Sequence, residues 1–367
     1  MRLRFHIVLA AAGLAVATAA SAQDRVVNVY NWSDYILDEA DDSVLKDFTA
    51  ETGISVNYDT YDNNEIVETK LLAGNSGYDI VVPSNLNMAR EIAAGTLQKL
   101  DKSKLPNLTH MWPLIMERLA TYDPGNEYAV DYMWGTTGIG YNTDKVAERI
   151  PDAPVDSWAL LFDPQYASKL ADCGIYLLDS PDDILPSALA YLGLNPDSKE
   201  PADLDKAAEL LGAIRPYIQK FHSSEYINAL ANGDICLAVG YSGDVFQARD
   251  RAAEANNGVT IDYSIPSEGA LMWFDSMVIP KDAPHPDEAH EFINFMMRPD
   301  IAARNSNYVY YANGNLDSQD QLEEDVIGDP AVYPPQEVLD KLFVTTPASA
   351  TAQRYITRLW TRLKAGS

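Results

Sequence analysis

The sequence predicts an α/β protein of two lobes, each a mainly parallel sheet flanked by helices. Three observations predict it. Strand-like and helix-like segments alternate along the chain, the pattern of parallel strands joined by crossover helices. At 367 residues the chain is long for a single hydrophobic core. No repeat or Pro/Gly-rich linker divides it, so the chain is expected to cross between its lobes more than once.

The first residues stand outside this pattern. "MRLRFHIVLAAAGLAVATAASAQD" places Arg2 and Arg4 before an apolar run, with Ala20-Ser21-Ala22 as a small-residue cleavage site. The apolar run is short for a membrane span, and charge follows at once. Residues 1–22 therefore read as a secretory signal, removed before Gln23, and the style of the leader points to a bacterial periplasm.

The mature chain opens with "VVNVYNW", residues 26–32, which alternates as a strand. "DSVLKDFTAETG" follows as a helix with Val44, Leu45 and Phe48 on one face and Gly53 as its stop. "ISVNYDTY" is a strand, "NNEIVETKLLAGN" a helix capped by Asn63 or Asn64, and "YDIVVPS" a strand covered on both faces. This is a β-α-β-α-β opening. Near Thr136 the pattern restarts with "TGIGYN". "EYINALANGDICLAVGYSGD" reads as helix, Gly stop, strand and loop. "GALMWFDSMVIP" is a late strand, "PDEAHEFINFMM" an amphipathic helix, and "ATAQRYITRLWTRLKAG" a basic C-terminal helix.

Acidic residues outnumber basic ones 54 to 27, a formal charge of −27. Such a field repels nucleic acid and anionic lipid and attracts cations, so a DNA- or RNA-binding role is excluded. The two cysteines, Cys173 and Cys236, most simply form one disulfide in an oxidising compartment. Closing a loop of that length stabilises by roughly 4 kcal/mol in the chain-entropy model. A two-cysteine metal site would need His or further Cys neighbours, and none is near in sequence.

Enzyme motifs are weak throughout. Ser43-Val44-Leu45-Lys46 matches S-x-x-K, but no S-D-N or K-T-G partner accompanies it. "GYSGD" lacks the second glycine of a nucleophile elbow at the right spacing, and "GIG" at 138–140 is at most a fragment of a phosphate loop. His110, His222, His285 and His290 are scattered. The acidic turn "DTYDNNE" does not fit an EF-hand loop and also serves to cap the next helix. No metal, cofactor or catalytic triad is expected.

What remains is a set of aromatic residues beside carboxylates at strand ends: Trp32 with Asp34 and Tyr35, Tyr241 with Asp244, Trp273 and Phe274 with Asp275, and the tyrosines of "YVYYANGN". A single cluster of this kind is ordinary core packing. Four suggest a box of ring faces with acids at its ends, which suits an alkyl chain carrying ammonium groups. Each cation–π contact contributes roughly 0.5–2 kcal/mol when desolvated. Charge-assisted bonds from ammonium to carboxylate fix the ends.

The chain resembles the periplasmic putrescine/spermidine-binding proteins of bacterial polyamine ABC transporters. The resemblance runs over the whole mature chain, through "VYNWSDYI", "FTAETGISVNYD", "LLAGNSGYDIVVPS", "YMWGTTGIGYN", "PVDSW", "FHSSEYINALANGDICLAVGYSGD", "WFD" and "YVYYANGN". It implies a two-lobed periplasmic binding protein fold with a polyamine closed in the interlobe cleft. Lobe 1 would comprise 23–135 plus about 275–315, and lobe 2 would comprise 136–274 plus about 316–367. Carried across by motif, the ligand-binding residues are Trp32, Ser33, Asp34, Tyr35, Ser84, Asp183, Tyr241, Asp244, Trp273, Asp275 and Tyr311. Asp183 stands where the family usually has glutamate, and Tyr241 where it commonly has tryptophan. Trp273 leans toward spermidine, while "NWSDY" looks more like the putrescine branch. The resemblance also supports the Cys173–Cys236 bridge. It implies a monomeric carrier, without catalytic activity, that delivers its polyamine to a membrane ABC permease. Two rivals are a sensor that presents the closed form to a receptor and a periplasmic enzyme on the same fold.

Overall fold

The computed structural model describes residues 25–61 and 63–366, so the predicted leader lies outside the described residues. Its strands are β1 (Val26–Trp32), β2 (Ser55–Tyr61), β3 (Ile80–Val81), β4 (Leu97–Gln98), β5 (Ala129–Asn142), β6 (Ile175–Leu177), β7 (Lys220–Phe221), β8 (Leu237–Tyr241), β9 (Ile261–Ser264) and β10 (Leu271–Pro280). They form one continuous sheet in the order β2-β1-β3-β10-β5-β8-β6-β7, with β4 added to β10 and β9 to β5. Both wings are parallel: β1 pairs with β2 and β3, and β6 with β7 and β8. The centre is antiparallel, because β5 and β10 run past each other and every residue of both strands is buried.

The β5–β10 register runs from Leu271 opposite Thr137 to Val278 opposite Ala129, with an irregularity between Asp275 and Ser276. Irregularities of this kind re-aim side chains. Here Asp275 lies opposite Met133, and Ser276 opposite Asp131.

Local sequence explains the helices that flank the sheet. Ser43 caps helix Val44–Thr52 by accepting from the Lys46 amide, and Gly53 closes it at φ 70°. The Lys46 ammonium hydrogen-bonds the carbonyls of Glu39 and Ala40. Ser43 and Lys46 are thus parts of a capped helix, not a nucleophile pair. Asn63 caps helix Asn64–Ala73. Phe48 of the first helix meets Phe292 and Phe295 of helix Pro286–Met296 at centroid distances of 5.1 and 5.3 Å. At the other end, helix Ala350–Ala365 buries Ile356, Leu359, Trp360 and Leu363 against helices Pro201–Ile214 and Pro181–Tyr191.

One expectation is corrected. The stretch after "AVGY" is not a loop: β8 passes directly into helix Ser242–Ala255, and Asp244 lies in its first turn. A carboxylate there is favoured by the positive end of the helix dipole. The Cys173–Cys236 disulfide is present, with the Cα atoms 5.4 Å apart. No described helix is long and apolar enough to cross a membrane.

Candidate functional site

The site forms beyond the ends of β1, β3 and β8 and beside the middle of β10, around three aspartates that reach it from different elements. Asp275 lies in the middle of β10, beside the irregularity and not at a strand end as the sequence suggests, and is 6% exposed. Its Oδ1 accepts from the Ser84 hydroxyl at 2.6 Å and its Oδ2 from the Tyr35 phenol at 3.0 Å. Ser84 precedes helix Asn85–Ala94 but makes no side-chain cap there. Its oxygen instead accepts from Asn64 at 3.1 Å while donating to Asp275. Ser84 therefore orients Asp275.

Asp183 occupies the first turn of helix Pro181–Tyr191 and is buried. It accepts from the Thr137 hydroxyl at 2.6 Å and from the Tyr241 phenol at 3.4 Å. Asp244 is half-buried and accepts from Tyr226 at 2.6 Å and Tyr311 at 2.7 Å. Among the described residues, no Lys, Arg or His forms an ion pair or hydrogen bond with any of these three acids; their donors are hydroxyls.

The rings join the acids. Trp273 meets Tyr241 edge-on at 5.7 Å and Tyr311 at 5.3 Å, and Tyr311 meets Tyr35 at 5.3 Å. The buried Trp273 indole N–H has no acceptor among the described residues. Two glycines allow this approach. A Cβ on Gly135 would stand 2.5 Å from the Trp273 ring, and one on Gly243 would stand 2.4 Å from the Tyr311 ring. Trp32 is half-buried, tilted against Tyr61 at 4.7 Å, and its indole donates to the Val82 carbonyl at 3.0 Å. Ser33 and Asp34 are exposed in the following turn, where Asp34 adopts φ 53°. The turn follows β1 directly, and the Ser33 amide donates to the Tyr61 carbonyl at 3.1 Å.

The electrostatics follow from this geometry. Burial pushes Asp275 up to about 7 against the pull of its two hydroxyl donors, and the charge of Asp244 adds to the rise. Burial lifts Asp183 to about 6, opposed by Ser180 and Thr137. Burial also raises Asp244, opposed by Tyr226 and Tyr311. Tyr35, Tyr241 and Tyr311 are held well above the usual phenol range by burial and neighbouring acids, so they remain neutral donors. Such a site is short of positive charge. A cationic guest would meet three acceptors and several ring faces in one place.

The structure thus brings Tyr35, Ser84, Asp183, Tyr241, Asp244, Trp273, Asp275 and Tyr311 together, with Trp32, Ser33 and Asp34 along one side. Sequence reasoning missed Tyr226 and Thr137. Tyr226 lies in helix Glu225–Ala231, in a stretch that reads as packing, and Thr137 lies in a strand that is buried throughout. Neither carries a local signal that its hydroxyl ends on an acid 18 or 46 residues away.

Residues 43–334 match the family model of bacterial extracellular solute-binding proteins. The chain belongs to that family. This solute-binding protein is 51% identical to the putrescine-binding periplasmic protein SpuD of Pseudomonas aeruginosa, over 98% of this chain and 97% of that one. It is 46% identical to the putrescine-binding periplasmic protein PotF of Escherichia coli, over 94% and 93%. Among solved structures, it superposes with a TM-score of 0.79 on the spermidine/putrescine transporter substrate-binding protein PotD of Streptococcus pneumoniae. That match has 31% identity and covers 93% of this chain and 99% of the other. The solute-binding protein therefore has the two-lobed fold expected of it.

Proposed function

We propose that this solute-binding protein captures a polyamine, putrescine or spermidine, in the periplasm and delivers it to an ABC permease. The observation that carries the proposal is the set of three acids, Asp183, Asp244 and Asp275, gathered within an aromatic box and supported only by hydroxyl donors. A protonated diamine supplies the missing charge, and its methylenes suit the ring faces. The names of the relatives, putrescine-binding and spermidine/putrescine-binding, agree with this chemistry. So does the leader-like N-terminus, which suits an exported protein.

Lobe 1 is assigned as 23–135 with about 275–315, and lobe 2 as 136–274 with about 316–367. In favour of this division, helix Pro286–Met296 packs on β1, whereas helix Ala350–Ala365 packs on helices Pro201–Ile214 and Pro181–Tyr191. Strands β5 and β10 then serve as the hinge, and a ligand touching both lobes favours the closed state through its differential affinity. In this reading the protein acts as a monomer and catalyses no reaction.

Calorimetric titration with putrescine, cadaverine, spermidine and agmatine tests the proposal and ranks the ligands. Saturable binding of at least one amine, with no turnover of it, is expected. Heat-silent titrations with all four would refute the polyamine reading.

A further inference from the structure

We propose that Asp131 and the methionines around it form a second binding site, for a soft monovalent metal ion of the Cu(I) class; the inference stands apart from the polyamine reading. Five of the nine methionines in the chain, Met111, Met133, Met277, Met296 and Met297, line one small cavity with Asp131. They come from distant parts of the sequence. Asp131 and Met133 belong to β5, Met277 to β10, Met296 and Met297 to the end of helix Pro286–Met296, and Met111 to the stretch before helix Pro113–Leu119. Adaptable thioether side chains are ordinary filler in an apolar core. A carboxylate among them is not.

Asp131 is 3% exposed, and both of its oxygens lack a partner among the described residues. A Cβ on Gly314 would stand 2.4 Å from its Oδ2, so the carboxylate lies against the 313–315 segment. Neither asparagine of that segment serves it. The Asn313 amide nitrogen donates to the Ser306 hydroxyl at 2.8 Å, and that of Asn315 to the Met297 carbonyl at 2.7 Å. Their side-chain oxygens already accept, Asn313 from the Asn315 backbone N–H at 2.8 Å and Asn315 from that of Ser318 at 3.1 Å. A buried acid without donors is costly unless a cation or a proton neutralises it.

The remaining ligand set selects the cation. Thioether sulfur is a soft ligand that favours Cu(I), whereas Ca²⁺ takes roughly six to eight oxygens and Mg²⁺ demands a near-ideal octahedron of them. Asp131 offers two oxygens, and those of the asparagine side chains are taken. A water fits less well: it would donate to Asp131 but meet mainly weak sulfur acceptors on its other sides. The free volume is about 10 Å³, room for a single small ion. A monovalent ion also balances the charge of one carboxylate. Such an ion would join β5, β10 and helix Pro286–Met296 at one point. Both cysteines of the chain are in the disulfide, so no thiol competes for it.

The test uses the whole protein, stripped of metal, with Ag(I) as a probe that shares the charge and softness of Cu(I) and keeps its oxidation state. Calorimetric titration in chloride-free buffer is run on the parent, on M296L/M297L, on D131N, and on M116L, a change outside the cavity. The parent is expected to bind a single Ag(I) ion, and M116L to match it. M296L/M297L and D131N should each bind it about tenfold or more weakly. X-ray absorption at Cu(I), held reduced with ascorbate, should show sulfur neighbours around the ion in the parent. A parent that takes up no Ag(I), or an affinity that survives in both cavity variants, overturns the site. So does a Cu(I) spectrum with only nitrogen or oxygen neighbours, which would move the ion to surface histidines. Should a cavity variant fail to fold, the spectrum of the parent still decides. Putrescine binding is a separate measurement, and its failure would leave this site standing.

Discussion

Asp275 and Asp131 sit on facing strands at the same irregularity, and both are buried. Their surroundings differ completely. Asp275 points to the ring cluster and holds two hydroxyl donors. Both oxygens of Asp131 lack a partner among the described residues, in a small cavity lined with Met111, Met133, Met277, Met296 and Met297. Burial and the nearby charge of Asp275 hold Asp131 well above the usual carboxylate range. Position in the fold alone therefore does not set an acid's state. The two hydroxyl donors of Asp275 favour its ionised form against burial, and Asp131 has no such donors among the described residues.

Removing the wired acid has the largest expected effect. Asp275→Ala or Asp244→Ala should weaken putrescine binding by roughly 2–5 kcal/mol, since a buried ammonium loses its counter-charge. Asp131→Asn should leave the affinity nearly unchanged, and calorimetry on the set decides the matter. Equal losses at 131 and 275 would erase the distinction between them.

Removing one donor should cost less. Ser84→Ala deletes a hydrogen bond to a charged group, with an expected loss of about 1.5–3 kcal/mol in putrescine affinity. It should also move the acid limb of the binding profile to higher pH, because Asp275 becomes harder to ionise. A variant whose affinity and profile both match the parent would remove Ser84 from the site.

The pH dependence follows from the raised acids. Asp275 at about 7 and Asp183 at about 6 lie above their unfolded values near ~3.9. In the ligand-free protein the stability from their neutral forms is complete below that unfolded value and is lost as pH rises through 6 and 7. Bound ammonium reverses the preference by favouring the carboxylates. Putrescine affinity should fall below pH 7 by about tenfold per pH unit for each acid that must release a proton. The thermal midpoint of the free protein should decrease over the same range in which the ligand-induced gain increases. A flat affinity between pH 5 and 8 would mean that these acids bind no ammonium.

The smallest effect is expected at the ring wall. Tyr241→Trp enlarges the face beside Trp273 and removes a hydroxyl from Asp183, which should change the putrescine-to-spermidine preference by about 0.5–1.5 kcal/mol. An unaltered ranking in competitive titration would show that this wall does not select the ligand.

Much of this candidate site was legible in sequence because its acids and rings are neighbours in number as well as in space. "WFD" and "YSGD" signal themselves in this way. The Gly53 stop and the Asn63-or-Asn64 cap were legible too, since each acts within one turn. Three features were not. The irregularity beside Asp275, where Tyr132 is the extra residue of β5, depends on cross-strand register, which no local pattern encodes. The role of Ser84 depends on Asp275, 191 residues away. The helix after β8 was obscured by Ser242 and Gly243, which favour turns in isolation. They are accepted here because Gly243 must lie close under the Tyr311 ring.

The disulfide has a consequence for how the empty site is kept ready. Cys173 immediately precedes the β6 region and Cys236 immediately precedes β8, and these strands run side by side in the same direction. Their far ends lead to Asp183 and Asp244 respectively. The sulfur bridge therefore clamps the roots of two levers whose tips carry the negative poles, presetting their spacing before any guest arrives. A chain made in a reducing cytosol would lose that clamp between the two strands.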